Sequence, residues 1–151
     1  MHHCFHHIPK TGGSSLRIRL EDRADKKQIS KLDYAIGHNT TTRTPGTHFV
    51  WLRNPLDRDI SQFNYDTGKG EAEGNTFEEH CRRLAGNFMT LWLYKNYLLE
   101  DPNTDIHGKY LKVKDALTSR FDKVFSTQNF EDSWDYVADK LMIDKEPRLK
   151  T

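Results

Sequence analysis

The sequence predicts an α/β fold with three layers, in which helices cover both faces of a central parallel sheet. Short apolar segments typical of buried strands alternate along the chain with segments of helical spacing. This alternation is the pattern of parallel strands joined by helical crossovers. The length of 151 residues suits one domain with a sizeable core. We therefore expect residues 1–151 to form a single domain.

Four segments are predicted as strands, namely residues 5–8, 34–37, 47–53 and 123–127. Residues 47–53 are β-branched, aromatic and nearly continuously apolar, as a central strand covered on both faces should be. The first strand ends at Pro9, because proline cannot donate to a strand ladder. The sheet is therefore expected to have the third segment near its centre.

Helix signals fill the gaps between these strands. Asn54 as N-cap and Pro55 at the first helical position mark one helix start, and Leu56, Ile60 and Phe63 give that helix an apolar stripe. The other predicted helices are residues 16–20, 76–85, 88–99, 110–120 and 130–142. The charged stretch 21–31 is expected to be an exposed helix end or loop. In the last helix four residues are expected to face inward: Trp134, Val137, Ala138 and Leu141.

A glycine turn between the first strand and the first helix is the strongest functional signal. The segment contains, in order, Lys10, Thr11, Gly12, Gly13, Ser14 and Ser15. Glycines allow the backbone to turn and to approach a ligand, and free N–H groups at a helix start bind anions. The lysine and the hydroxyls add charge and donors, so the segment predicts a phosphate site. The alternative is a strand-turn-helix corner without a ligand.

The spacing of this turn differs from that of a nucleoside triphosphatase loop. In those proteins the lysine follows the glycines, whereas Lys10 precedes Gly12 and Gly13. A second anion site is predicted where Arg53 leaves the third strand and Ser61 follows about two helical turns later. A structural alternative is that Arg53 pairs with Asp57 and that Ser61 is an ordinary polar position.

Composition excludes several classes of protein. The chain is 35% hydrophobic and 30% charged, with a formal net charge of +1, which argues against a general nucleic-acid binder. No apolar run approaches the length of a membrane span, and no secretory pattern precedes the first strand. With two cysteines, Cys4 and Cys81, a disulfide framework is not expected. We expect a cytoplasmic protein that contacts neither membranes nor nucleic acid, of open oligomeric state.

Histidines near the N-terminus suggest a metal site at first sight. The group is His2, His3, Cys4, His6 and His7. Because successive strand residues face opposite sides of a sheet, these groups do not converge on one ion. We expect no metal here, and strand residues with a frayed end instead.

At two places the sequence resembles the sulfotransferases that use 3′-phosphoadenosine 5′-phosphosulfate (PAPS). It is most similar to the Golgi carbohydrate sulfotransferases of the uronosyl 2-O- and galactose 3-O- kind and to their bacterial relatives. Residues 8–16 resemble the family's loop for the 5′-phosphosulfate, and residues 52–61 resemble its element for the 3′-phosphate. Weaker similarities lie at residues 37–38, at Asn87, and in residues 121–124 and 130–134.

The resemblance implies the P-loop-NTPase-like sulfotransferase fold, expected to be shortened at the C-terminus because family domains are commonly longer. It implies transfer of a sulfuryl group from PAPS to a hydroxyl acceptor, most simply a carbohydrate, with 3′-phosphoadenosine 5′-phosphate (PAP) as product. By this resemblance Lys10 and residues 11–15 bind the 5′ end, while Arg53 and Ser61 bind the 3′-phosphate. No metal is required, since Lys10 and the helix start supply positive charge.

His38 is the candidate base for the acceptor hydroxyl. It follows the second strand, and histidine titrates near neutral pH. The carboxyl ends of parallel strands share one edge of a sheet, so we expect Lys10, His38 and Arg53 in one crevice. A structural histidine is the alternative, and His7, His48 or an acid in residues 66–73 compete for the role.

Two other functions stay open. One is a non-catalytic PAPS- or PAP-binding module of the same fold, which the early C-terminus would favour. The other is a small nucleotide kinase, which the position of Lys10 disfavours. The acceptor cannot be named from the sequence, because the loops expected to line its pocket, residues 39–46 and 66–75, carry no readable code.

Overall fold

A four-stranded parallel sheet forms the centre of the protein. The structure is a computed structural model that describes residues 2–9, 13–37, 42–68, 76–79 and 87–146. The strands are β1 (His3–His6), β2 (Tyr34–Gly37), β3 (Thr47–Leu52) and β4 (Lys123–Ser126), in the order β2-β1-β3-β4. The predicted α/β class and parallel sheet are confirmed, and β1 and β3 are its inner strands.

Helices connect and follow these strands. They are α1 (Gly13–Asp25), α2 (Pro55–Gly68), α3 (Phe88–Trp92), α4 (Ile106–Ser119) and α5 (Phe130–Leu141). A π-helical segment, Leu93–Leu98, continues α3, and a short 3₁₀ turn, Thr127–Asn129, precedes α5. Residues 77–79 are also helical, and the Thr76 hydroxyl caps them by accepting from the Glu79 amide at 3.1 Å. In the described ranges no helix combines the length and the hydropathy needed to cross a membrane.

Two hydrophobic cores lie on opposite faces of the sheet. On one face α1 and α5 pack against Phe5, Phe49 and Trp51, and on the other α4 and the π-helical segment pack against Val50. This division follows the alternation of side chains along β3. The four residues predicted to face inward from α5 are all buried: Trp134, Val137, Ala138 and Leu141.

Helix α2 begins as its capping signal predicts. The Asn54 side-chain oxygen accepts hydrogen bonds from the Leu56 amide at 3.0 Å and from the Asp57 amide at 3.2 Å. The apolar stripe of this helix is not a core face, however. Leu56 is 58% exposed and Ile60 is 39% exposed, while the buried residue of α2 is Arg58. A charged residue has therefore taken the inward position.

Other element boundaries also differ from prediction, and α4 begins at Ile106 rather than at residue 110. Strand β1 spans His3–His6 rather than residues 5–8, although Ile8 is fully buried. Helix α1 runs on to Asp25, and Arg23 within its charged end is 1% exposed. Arg23 is buried because its guanidinium donates to the Asp144 carbonyl at 2.9 Å and lies over the Trp134 ring. A charged stretch can thus form part of a core when its side chains are satisfied.

A pair of buried histidines joins β1 to β3. His6 Nε2 lies 2.8 Å from His48 Nδ1, and His48 Nε2 lies 2.7 Å from the Thr44 carbonyl oxygen. The carbonyl only accepts, so His48 donates through Nε2 and its Nδ1 accepts from His6. Burial, followed by the proximity of His48, lowers the pKa of His6 to about 3. His6 therefore stays neutral in the folded protein.

We expect this pair to make the fold acid-sensitive. Below pH 6.5, the ordinary pKa of histidine, His6 is protonated in the unfolded chain but stays neutral in the folded protein. The free energy of unfolding therefore falls as the pH falls. From about pH 7 to pH 5.5 His6 alone should lower the free energy of unfolding by about 1 kcal/mol. Urea unfolding of His6→Gln, which keeps a donor, should show a correspondingly smaller loss. Exposed His107→Gln is the control, and an unchanged pH dependence in His6→Gln would contradict the assignment.

Candidate functional site

The turns that carry the predicted site leave the sheet at one edge. Strands β1 and β3 pair in parallel with His6 beside Val50, and β3 pairs with β4 with Leu52 beside Ser126. The segments that follow β1, β3 and β4 therefore start at the same edge, where α1, α2 and α5 begin. Strand β2 lies on one side of β1 and strand β3 on the other. Such a reversal of strand order creates a crevice in which ligands bind.

A cavity of about 420 Å³ lies at this edge. Its described lining consists of Ser15, Arg19, Arg53, Asp57, Thr127, Gln128, Phe130 and Glu131. Most of these residues lie directly after a strand or in the first turn of a helix, and Arg19 lies one turn further along α1. The volume suits a small molecule, and the first turn of α1 carries no acidic residue, so its positive end is not neutralised locally.

The structure brings together part of the predicted site. Ser15, in the first turn of α1, and Arg53, after β3, line the same cavity. The backbone of Gly13 and Ser14 begins α1. Ser61 lies half-buried in α2 and is not among the described residues that line the cavity. Four predicted residues lie outside the described residues: Lys10, Thr11, Gly12 and His38.

The end of β2, next to His38, is fixed by two hydrogen bonds. The Gly37 carbonyl accepts from the His7 amide at 3.1 Å and from the Tyr97 hydroxyl at 3.3 Å. Burial raises the pKa of Tyr97, so its hydroxyl stays protonated and donates. Gly37 also has a φ of +150°, a backbone conformation that suits glycine. The end of β2 that directly precedes His38 in the sequence is therefore held in place.

Two competing candidates for the base are placed by the structure. His48 is 5% exposed, near the start of β3, and both of its ring nitrogens lie within hydrogen-bond distance of core partners. It is therefore wrong as a candidate, because it lies toward the opposite edge of the sheet. His7 is half-buried and directly follows β1 at the cavity edge of the sheet. Asp66 lies in α2 and accepts from Gln62 at 2.8 Å; residues 69–75 lie outside the described residues.

The N-terminal histidines have separate partners. His3 Nδ1 lies 2.6 Å from the Thr47 hydroxyl, whereas His6 pairs with His48. Cys4 is buried, and burial raises the pKa of its thiol. Within the described ranges no three histidine, cysteine or acidic side chains are grouped as metal ligands.

Sequence reasoning missed the ion pair on the cavity wall. Arg19 is 1% exposed and donates from Nη1 to Glu131 Oε2 at 3.0 Å and from Nη2 to Glu131 Oε1. Its guanidinium lies 4.9 Å from the centre of the Phe130 ring and 5.5 Å from that of Trp134. The one available signal was its spacing, because Arg19 follows Ser15 by four residues and shares its helix face.

A second buried arginine connects α2 to the glycine turn. Arg58 is 1% exposed, and its Nε donates to the Pro9 carbonyl at 3.2 Å. Its Nη2 donates to Gln62 at 3.2 Å and its Nη1 to Asp59 at 2.8 Å, while the guanidinium carbon lies 3.4 Å from the centre of the Phe88 ring. Arg58 thus fixes the residue that immediately precedes Lys10.

No family model, no curated protein and no solved structure matches this chain. The fold is accordingly described by its own geometry, an α/β fold with a four-stranded parallel sheet. What the site does chemically must be argued from its residues.

We expect Arg58→Met to destabilise the protein. Methionine keeps the apolar stem but leaves the Pro9 carbonyl without this donor, at a cost of about 1–3 kcal/mol in the free energy of unfolding. Urea unfolding measures the loss. Arg120→Met removes an exposed arginine that pairs with Glu100 at 2.7 Å and should cost less than about 1 kcal/mol. Equal decreases in the free energy of unfolding of the two variants would show that the contact between Arg58 and Pro9 does not stabilise the protein.

Proposed function

We propose that the protein is a PAPS-dependent sulfotransferase that transfers a sulfuryl group to a hydroxyl acceptor. The observation that carries this proposal is the shared cavity of Ser15 and Arg53. These residues come from the two segments that resemble the 5′-phosphosulfate loop and the 3′-phosphate element of that family. Had they lain on different faces of the molecule, one nucleotide could not have reached both.

Binding of the nucleotide depends on two groups of donors in this proposal. Lys10 and the backbone N–H groups of residues 11–15 hold the 5′ end, helped by the positive end of α1. Arg53 holds the 3′-phosphate as a bidentate donor, and the hydroxyl of Ser61 assists. The 3′-phosphate distinguishes this nucleotide from ATP and AMP, so Arg53 is the residue that sets nucleotide specificity.

The reaction is an in-line displacement that resembles phosphoryl transfer. PAPS supplies the sulfuryl group, whose bond to the 5′-phosphate oxygen breaks as a bond to the acceptor oxygen forms. Lys10 stabilises the negative charge that develops on the 5′-phosphate. His38 takes the proton of the acceptor hydroxyl, with His7 as the competing base at the same edge of the sheet. The Gly37 carbonyl, which accepts from His7 and Tyr97, fixes the end of β2 directly before His38 in the sequence and so supports this assignment.

The acceptor is proposed to be a carbohydrate hydroxyl. This choice rests on the family resemblance rather than on the described contacts. Incubation of labelled PAPS with a panel of oligosaccharides, phenols and amines tests this choice. Labelled products limited to phenols or amines would show that the acceptor is not a carbohydrate.

Calorimetry tests the role of Arg53. PAP should bind at least about tenfold more tightly than AMP, since the added phosphate gains a charge-assisted bidentate contact. Arg53→Ala should remove most of this advantage while leaving AMP binding nearly unchanged. Arg120→Ala, which removes an equal charge just before β4 and thus at the amino edge of the sheet, is the matched control. Equal binding of PAP and AMP to the wild-type protein would overturn the proposal.

A transfer assay tests Lys10. Lys10→Ala should reduce sulfuryl transfer at least about a hundredfold, because it removes charge stabilisation from the leaving phosphate. Thermal unfolding should stay close to wild type, since the sequence predicts that Lys10 lies in a turn. Retained turnover would exclude Lys10 from the mechanism. Tight PAP binding by the wild-type protein without transfer to any acceptor would support the non-catalytic binding module instead.

A further inference from the structure

The two side chains of the ion pair between Arg19 and Glu131 differ in their exposure to solvent. The Arg19 side chain is 2% exposed, whereas that of Glu131 is 46% exposed. Arginine keeps its charge at all working pH values, so a buried guanidinium needs partners for its N–H groups. Nη1 and Nη2 have Glu131 as partner, but the buried Nε of Arg19 has no hydrogen-bond partner within the described part of the chain. A buried donor without a partner is rare and calls for an explanation.

The position of Arg19 gives it a function beyond structure. It lines the same cavity as Ser15 and Arg53, and the rings of Phe130 and Trp134 hold its guanidinium in place. Of the two side chains, that of Glu131 is the one that reaches solvent, while that of Arg19 is enclosed in the core. Phosphate and sulfate oxygens fit the same fork of donors that now holds the carboxylate.

The charges of the cavity support an exchange of partners. Among its described lining residues, Arg19 and Arg53 are balanced by Asp57 and Glu131. For an incoming anion the charges of these described side chains cancel, and Glu131 competes with it directly for Arg19. Once Glu131 turns outward, the described side chains carry one net positive charge and the guanidinium fork is open to the ligand.

We propose that Arg19 is an additional anion-binding residue of this cavity and that Glu131 occupies it until a phosphorylated or sulfated ligand displaces the carboxylate. The inference rests on the proposed function for the identity of the ligand, a bisphosphorylated nucleotide. The exchange itself requires only that the ligand carry a phosphate or sulfate group. If the pair is instead purely structural, it ties α1 to α5 and takes no part in binding.

Calorimetry on the full chain separates these two roles. Glu131→Gln removes the competing charge and should tighten the binding of PAP and of inorganic pyrophosphate about fivefold to tenfold. Asp132→Asn is the matched control, since Asp132 is an exposed acid in the same first turn of α5 and lines a different cavity. In the double variant Arg19→Lys/Glu131→Gln the gain should disappear. Binding by Glu131→Gln that is weaker than, or equal to, that of Asp132→Asn overturns the proposal.

A measurement on the wild-type protein reports on Arg19 directly, and a variant serves only to assign its signal. In a ¹⁵N-labelled sample the Arg19 Nε–H signal, assigned by its loss in Arg19→Lys, should shift when pyrophosphate saturates the cavity. A signal that stays unchanged at saturation excludes Arg19 from binding, whatever the variants show.

The two ligands also separate this inference from the proposed function. If pyrophosphate binding depends on Glu131 but PAP binds no better than AMP, the exchange stands and the sulfotransferase proposal fails. If PAP binds better than AMP but Glu131→Gln matches Asp132→Asn, the sulfotransferase proposal stands and the exchange fails. Absence of binding by both ligands overturns both.

Discussion

The parallel pairing of β1 with β3 is the constraint on which the rest of the structure depends. These inner strands place the residues that directly follow β1, and Arg53 after β3, at neighbouring points of one sheet edge. Their register is fixed by the two cores, since Phe49 and Trp51 pack on one face and Val50 on the other. A shift of one residue would exchange these faces, so the energy that holds the cores together also holds the site together.

Buried arginines complete a core that is short of apolar residues. Arg19, Arg23 and Arg58 are each 1% exposed, and each has its guanidinium over an aromatic ring while its edge donates hydrogen bonds. A planar guanidinium can do both because its faces are weakly hydrated and its donors lie in the plane. The ring contacts and the hydrogen bonds together fix its orientation, so Arg19 lies in a defined position next to the cavity and Arg58 next to Pro9.

The sequence was sufficient where local signals decide the structure. The Asn54 cap, the continuous apolar run of β3 and the inward residues of α5 all follow from neighbours in the chain. Prediction from sequence failed where partners distant in the chain determine which side chains are buried. Arg19 and Glu131 are 112 positions apart, and Arg58 is buried against Pro9 and Phe88. The shared cavity of Ser15 and Arg53 was predictable from topology, whereas the presence of Glu131 in its lining was not.

Two kinds of information that do not depend on each other lead to the same cavity. The glycine turn and Arg53 are recognised from residue types and their spacing, with no knowledge of hydrogen bonding. The Nε of Arg19 is recognised because it donates to none of the described residues, and this requires no knowledge of any motif. Selection for stability alone would favour a partner for this donor, since leaving it without one costs free energy. Sites that bind ligands are where such local inconsistencies are expected, and Arg19 lines the same cavity as Ser15 and Arg53.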